Sequence, residues 1–420
     1  MPGGRDFIRF WASDGALSLG AYIRLLAVQV LLVVSLHGSA FDVGLLTAAR
    51  WLPYLLLGLV AGTVVDHLPR RWVLVWTDVL VMAVFAAMAV LAGLDRLTIP
   101  GLLALALVGG GGSLFHEAAA QAILPDLVPP EDLLSANVRL EQTGAAAQSI
   151  GPALAGVIIA VVGTPLAIAL DAVAHLASGA LNRGLSPAPA ANPRPAAGVR
   201  REVRDGLRWV YGHRRLRSLA LNTNLWFMFH AFTTTLLIPF LLLGLKLSPV
   251  SVGFVLAAAG IGSIAGTALS SRSAARWGAG RVIGQARALY LPSIVLLVLA
   301  PSAAHGTTVA AFGLAAAAEL LYGFAMGLEG PLESAYRQSI TPRALQGRTN
   351  ATMRASNRAV VVFAAPLGGA LAVAAGFRPA LSAAALGMGT VAAWYAFSPM
   401  MEATVGEAGH PSAPGSSEDR

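Results

Sequence analysis

Ionisable side chains set deep inside apolar sequence are the residues through which this chain could do chemistry. Arg24 and Glu319 stand near the middle of two long apolar runs, at 10–36 and 307–332. A charge at that depth of a bilayer costs about 2.5–3.5 kcal/mol on insertion scales, so each needs a partner, water or a task. Gly20, Ala27 and Leu31 share the Arg24 face at helical spacing, and Tyr322 and Met326 share that of Glu319. Two readings stay open: both line a substrate or proton cavity, or the two form a static ion pair. Glu117 and Glu141 sit nearer one end of their runs. Arg354 lies four residues past Asn350, as Glu141 lies four past Asn137, which suggests a Glu141–Arg354 pair closing that end. Asp78 is expected to partner the loop that precedes its run. Asp171 and His175, four apart, suit a local hydrogen bond. His230, with Asn222 and Asn224, could offer polar contacts to a substrate. None of these spacings makes a metal set. Gly109 to Gly112 lacks the Lys-Ser/Thr of a phosphate loop, and the absence of Cys excludes disulfides and thiol chemistry. No cofactor and no catalytic constellation is indicated.

Twelve apolar stretches must position these groups: 10–36, 42–64, 72–93, 99–123, 133–161, 164–183, 217–243, 250–271, 281–301, 307–332, 349–374 and 378–399. With 56% hydrophobic and 12% charged residues, 420 residues could not hide so much apolar surface in water. About 20 such residues cross the hydrocarbon core as a helix. The runs lack the two-residue alternation of membrane strands. In lipid a helix satisfies its own backbone N–H and C=O groups. The first run is too long, and too interrupted by Asp14 and Arg24, for a cleaved signal segment. If both termini are cytoplasmic, inside loops hold 19 of 29 Lys+Arg and outside loops only Arg96, Lys246 and Arg378. That bias accounts for the net charge of +8 through an anionic inner leaflet, without nucleic acid. Arg far exceeds Lys and Ala and Gly abound, which suits a GC-rich bacterial genome and hence an inner-membrane location.

Two sets of six runs flank a polar segment. The expected organisation is a bundle at 1–183, a linker at 184–216, a second bundle at 217–400 and a disordered tail at 401–420. The linker begins Pro/Ala-rich. From Val199, apolar Val203, Leu207 and Val210 alternate with Arg200, Arg201, Arg204 and Arg208, the pattern of an amphipathic helix at the cytoplasmic interface, with Trp209 and Tyr211 at headgroup depth. The halves repeat each other. Gln121-x-Ile123-x-Pro125, Asn137 and Pro152 recur as Gln338-x-Ile340-x-Pro342, Asn350 and Pro366, at offsets of 217, 213 and 214. Gly62 has a counterpart in Gly266. Such a parallel repeat is the plan of an alternating-access transporter.

Gly62-Thr-Val-Val-Asp66-His-Leu-Pro69-Arg70-Arg71 resembles the loop 2–3 signature of the major facilitator superfamily, with Pro69 where a second glycine is usual. The resemblance implies a gating loop in which Gly62 permits close packing, Asp66 accepts hydrogen bonds, and Arg70 and Arg71 pair across the closed cytoplasmic side. A plain positive-inside turn is the alternative. Ala147-x-x-x-Gly151-Pro152-x-x-Ala155-Gly156 resembles the antiporter motif of the same superfamily, whose kink accompanies drug–proton exchange; a packing kink without transport polarity fits as well. Leu124-Pro125-x-Leu127-Val128-Pro129, Thr341-Pro342, Gly347-Arg348 and Ser398-Pro399 are similar to the bacterial efflux branch that includes enterobactin exporters and macrolide-efflux relatives. After Leu17-Ser18-Leu19-Gly20 that branch carries an acidic residue, and here Ala21 stands instead.

The resemblance implies an all-α membrane protein of twelve helices in two six-helix bundles, with the first, fourth, seventh and tenth lining a central cavity. Arg24, Glu117, His230, Glu319 and Tyr322 would face it; Gly62, Asp66, Arg70, Arg71, Asp78, Glu141, Gly151, Pro152, Gly156 and Arg354 would serve gating. The implied function is proton-coupled export of an amphipathic small molecule such as a drug, antibiotic or siderophore, by a monomer whose partners are substrate, protons and the bilayer. A facilitator or importer on the same fold, and a membrane enzyme or channel, are the alternatives.

Overall fold

The computed structural model describes residues 4–186, 199–302, 308–342, 345–398 and 400–401. Most of the Pro/Ala-rich linker and the tail from 402 lie outside these. The described residues form α1 (Arg5–Val30), α2 (Ala40–Asp66), α3 (Arg70–Gly93), α4 (Ile99–Leu127) and a run Leu133–Arg183. That run breaks at Gly163, whose φ of 80° and ψ of 169° are left to glycine, giving α5 (133–162) and α6 (164–183). The linker helix Val199–Gly212 follows. Then come α7 (Arg214–Pro239), α8 (Pro249–Trp277), α9 (Ala279–Leu299), α10 (Thr308–Ser339), α11 (Gln346–Ala375) and α12 (Phe377–Ala396). Ten helical runs are long and apolar enough to cross a bilayer. One of the ten holds both α5 and α6; α12, with Arg378 and Pro379 in its first turn, falls short of that apolarity.

The repeat is written into the backbone. α1 and α7 each end in a wide turn, closed by Leu36 N–H to Leu31 C=O at 2.9 Å and Leu245 N–H to Phe240 C=O at 2.8 Å. His37 and Lys246 then take φ of 52° and 57°. Ser39 caps α2, reciprocated by Asp42, and Ser248 caps α8. Gly376, at φ 92°, breaks α11 from α12 as Gly163 breaks α5 from α6.

Outward faces are apolar: Leu56, Trp76, Val161, Phe363 and Phe397 are all exposed, a surface suited to lipid rather than water. The halves meet along two seams, α2 against α11 and α5 against α8. Both are crossings without side chains between them. A Cβ on Gly369 would lie 2.3 Å from the Ala40 carbonyl oxygen, and one on Gly44 2.5 Å from that of Ala365. In the other seam, a Cβ on Gly156 would lie 2.5 Å from the Pro249 oxygen and one on Gly253 2.3 Å from that of Pro152. These contacts lie at the end bearing the α1–α2 and α7–α8 turns, here the distal end. Leu26, Leu32, Leu236 and Leu241, all fully buried, plug it. At the proximal end, which carries the linker helix, α4 and α5 make no extensive contact with α10 or α11 among the described residues. The bundle is therefore shut distally and parted proximally.

Candidate functional site

A cavity of about 380 Å³ occupies the space between the halves, above the distal plug. Its lining joins α1 to α5 with α7, α8 and α10. Arg24 reaches it from α1, but its Nε donates to Asp171 Oδ2 at 2.6 Å, and its guanidinium lies 4.4 Å from the Phe85 ring centre. Gly20, one turn back, leaves the room that Asp171 occupies: a Cβ there would meet Asp171 Oδ1 at 2.5 Å. Arg24 is thus paired across to α6, and the ion pair with Glu319 does not exist in this conformation. Nor does Asp171 bond to His175, because the two neighbours on α6 point to different helices. Asp171 meets α1, and His175 meets α3.

Glu319 lines the cavity from α10 with 6% of its surface exposed and makes no hydrogen bond or ion pair among the described residues. Beside it His230 Nδ1 and the Tyr322 hydroxyl are 2.6 Å apart. His230 stacks on Trp226 at 4.5 Å, and Tyr322 packs on Tyr290 at 4.8 Å, so an aromatic shelf holds both polar groups at the wall. Asn222 and Asn224 do not join them. Asn222 donates to the Val391 carbonyl, and Asn224 bonds Tyr211 and Ser356 under the linker helix.

Glu117 lies towards the parted end, half exposed, with Arg358 of α11 at 4.0 Å. The Arg358 guanidinium also sits 4.2 Å from the Tyr54 ring centre and 4.7 Å from that of Trp51. The sequence reading missed Arg358 and Arg50. Arg50 lines the cavity from α2 and, apart from Asp42, is the only charge in its apolar run; that isolation was the signal. Glu141 and Arg354 are both exposed and no ion pair joins them, since α5 and α11 stand apart at the proximal end.

The loop between α2 and α3 acts within its own half. Arg70 bonds Asp126 at the end of α4 at 2.5 Å, with Asp66 farther off at 3.8 Å and 59% exposed. Arg71 donates to the Leu185 carbonyl at 2.9 Å. Neither arginine spans the halves while the proximal end is open. A Cβ on Gly62 would meet nothing within 4 Å, so no close packing depends on it here. Asp78 is not a partner of this loop. It is fully buried and accepts from Ser178 Oγ at 2.7 Å and Asn182 Nδ2 at 3.1 Å, with His175 Nδ1 at 2.9 Å and His116 Nδ1 at 3.4 Å. Gly151 lets α5 close on α1, where a Cβ would meet Tyr22 Cβ at 2.6 Å, while Pro152 and Gly156 form the α5–α8 seam.

A second buried network went unread. Arg287 of α9, 1% exposed, donates to Glu329 at 3.2 Å, Glu333 at 2.9 Å and Thr223 at 3.1 Å; the Tyr290 hydroxyl donates to Glu329 at 2.8 Å. Asp78 and Arg287 lie 209 residues apart, the spacing of the wide turns, and His116 and Glu333 lie 217 apart, the spacing of the Gln-x-Ile-x-Pro repeat. The first of these positions thus carries opposite charge in the two halves, and the second holds a histidine in one half and a carboxylate in the other. The linker helix docks on α7 and α11. Gly206 faces Thr352 and the Arg348 carbonyl, Val210 is buried, Asp205 pairs with Arg348 at 3.3 Å, and Tyr211 bonds Ser356 at 3.0 Å. Tyr211 is therefore held against protein. Among the described residues no group of three or more His, Asp or Glu could hold a metal ion.

The arrangement can hold a small molecule between two halves, one side open and the other shut, beside a carboxyl that has no hydrogen bond or ion pair among the described residues. The family described as transmembrane secretion effectors matches residues 5–413. The multidrug efflux pump Tap of Mycolicibacterium fortuitum is 29% identical over 373 residues, covering 85% of this chain and 87% of its own. Macrolide efflux protein A of Streptococcus pyogenes is 23% identical over 165 residues, 39% of this chain and 40% of that one. In fold, the chain is similar to a point mutant of the nucleoside transporter NupG, with a TM-score of 0.79 at 11% identity over 93% of this chain and 99% of that one.

Proposed function

The chain belongs to the transmembrane secretion effector family, a branch of the major facilitator transporters, and on that premise we propose that it exports an amphipathic small molecule in exchange for protons. Its relatives are named as efflux pumps for drugs, which supports outward transport. The observation that carries the mechanism is a cavity at the join of the halves, shut distally by bare glycine crossings and parted proximally. The excess of arginine at the proximal end supports its being cytoplasmic, with both termini there, so the conformation is inward-open. Substrate enters from the cytoplasm or inner leaflet against the Trp226, His230 and Tyr322 shelf. Rocking of the halves then closes the proximal end and parts the α2–α11 and α5–α8 seams.

Glu319 is the proton carrier in this reading. It faces the cavity with no competing partner among the described residues, whereas Arg24 is held by Asp171 and Ala21 replaces the acidic residue that the efflux branch carries on its first helix. Closure of the proximal end brings α4 and α5 towards α10 and α11, where Glu141–Arg354 and the Asp66, Arg70 and Arg71 loop can engage the opposite half. Proton entry at one-to-one coupling draws on about 2.3 kcal/mol per 100 mV, enough for roughly 50-fold accumulation of a neutral substrate. The test is energised uptake into inverted membrane vesicles across a panel of drugs, macrolides and siderophores. Uptake of at least one class that collapses with an uncoupler supports export. Uptake only in right-side-out vesicles would establish an importer instead.

A further inference from the structure

Three guanidinium groups reach the space between the halves, from Arg24, Arg50 and Arg358. Two carboxylates answer them within ion-pair distance: Asp171 at 2.6 Å from Arg24, and Glu117 at 4.0 Å from Arg358. Arg50 has neither an ion pair nor a hydrogen bond to its guanidinium among the described residues; the ring of its chain neighbour Trp51 lies 5.2 Å from centre to guanidinium carbon, and Glu117 and Asp171, held by the other two arginines, act on it only at longer range. Its position is fixed. A Cβ on Gly110 would lie 2.3 Å from the Arg50 carbonyl oxygen, so α4 holds this turn of α2 in place and the side chain projects into the cavity. A guanidinium is permanently charged and forks to match a carboxylate. At membrane depth it is stable only with a counter-charge or water. On its own half the cavity lining is largely apolar, Trp51, Phe85, Met88 and Leu46 among it, with Tyr22, Gln29, Thr47 and Ser113 as neutral donors and acceptors.

We propose that Arg50 anchors the acidic group of the transported molecule, and that the substrate class is the amphipathic organic anion. The inference rests on the reading of this cavity as the transport site and deepens it. The apolar body of such a ligand fills the space towards Met88 and the His230–Tyr322 shelf, within the range of about 300–1,000 Å³ used for drug-sized molecules. Glu319, on the opposite wall, disfavours a second negative charge, so a monoanion or a zwitterion with its amine towards α10 fits best.

The experiment uses purified full-length protein and three probes that share one ring system: naphthylacetate, naphthylacetamide and naphthylmethylammonium. Binding is measured by calorimetry near neutral pH. The wild type should bind the carboxylate about 10- to 100-fold more tightly than the amide, the ratio of a charge-assisted contact, and the ammonium least. Arg50→Gln should bring the carboxylate down to the level of the amide, and Arg50→Lys should retain part of the preference. Thermal unfolding of each variant confirms that it is folded. A wild type that binds the amide or ammonium as tightly, that shows no carboxylate binding, or whose preference survives Arg50→Gln would overturn the proposal. Loss of directional uptake in vesicles with this binding pattern intact would overturn the exporter reading alone and leave the anion site standing.

Discussion

The glycine crossings make a quantitative demand on the proposed transport cycle. In Gly369→Ala the new methyl would lie 2.3 Å from the Ala40 carbonyl oxygen, against 3.4 Å for an ordinary contact, so α2 and α11 must part by about 1 Å. The opposing atoms are backbone, with Phe41 Cα at 2.7 Å, and no rotamer change relieves them. Overpacking of this kind costs about 1–3 kcal/mol. The cost falls on the distally shut state and is relieved when the seam opens. The open-to-shut ratio should therefore rise about 5- to 150-fold. The chain has no Cys, so a single cysteine at Leu32 or Leu241, both fully buried in the distal plug, reports the change. Its labelling by an impermeant maleimide added outside cells should accelerate by that factor. Gly156→Ala, aimed at the Pro249 oxygen from 2.5 Å, should act alike, whereas Gly62→Ala, with nothing within 4 Å, should not. Unchanged labelling in both seam variants, or an equal response to Gly62→Ala, would refute the assignment of these seams as the distal gate.

Arg287→Met strands Glu329 and Glu333 in the interior and should cost about 3–5 kcal/mol; Asp78→Asn, whose neighbours are mostly neutral, should cost less, and thermal unfolding of the purified variants ranks them. Asp66→Ala should lower turnover with insertion intact, because in this conformation Asp66 makes only a loose 3.8 Å contact with Arg70 and its proposed role is to steady the closed proximal side; wild-type turnover at matched expression would reduce the loop to a topology signal. Single cysteines at Ser186 and Lys246, both exposed, should label from the cytoplasmic and outer sides respectively, and the reverse pattern would invert the orientation.

Helix positions were legible because in lipid the length of an apolar run sets the element. The runs at 99–123 and 133–161 differ from α4 and α5 by four residues or fewer at each end, and the gap before 164 coincides with Gly163. Where boundaries slipped, as at the start of α1 at Arg5 or the end of α10 at Ser339, polar residues extend the helix beyond the apolar stretch, which hydropathy does not register. Partners were less legible. Asp171 and His175 share a face of α6, but which helix each meets depends on packing angles absent from a linear chain. Asp78 was assigned to the nearest loop and instead finds α6. The Arg287 network could have been found by carrying the repeat from α3 to α9, since position 287 answers position 78; the exchange of charge between them hid the match. Arg50 was visible as a lone charge in an apolar run and was passed over in favour of charges nearer the midplane.

Proton exchange through Glu319 is tested most directly by comparing two modes of transport in the same inverted vesicles. One is accumulation driven by an inside-acid gradient, and the other is exchange of substrate down its own gradient without a proton gradient. On the proposed reading Glu319→Gln should abolish the first and spare the second, since the cavity and seams would remain while the proposed proton carrier is removed. Undiminished pH-driven accumulation in Glu319→Gln would contradict the account and pass the role to Glu141 or Glu117.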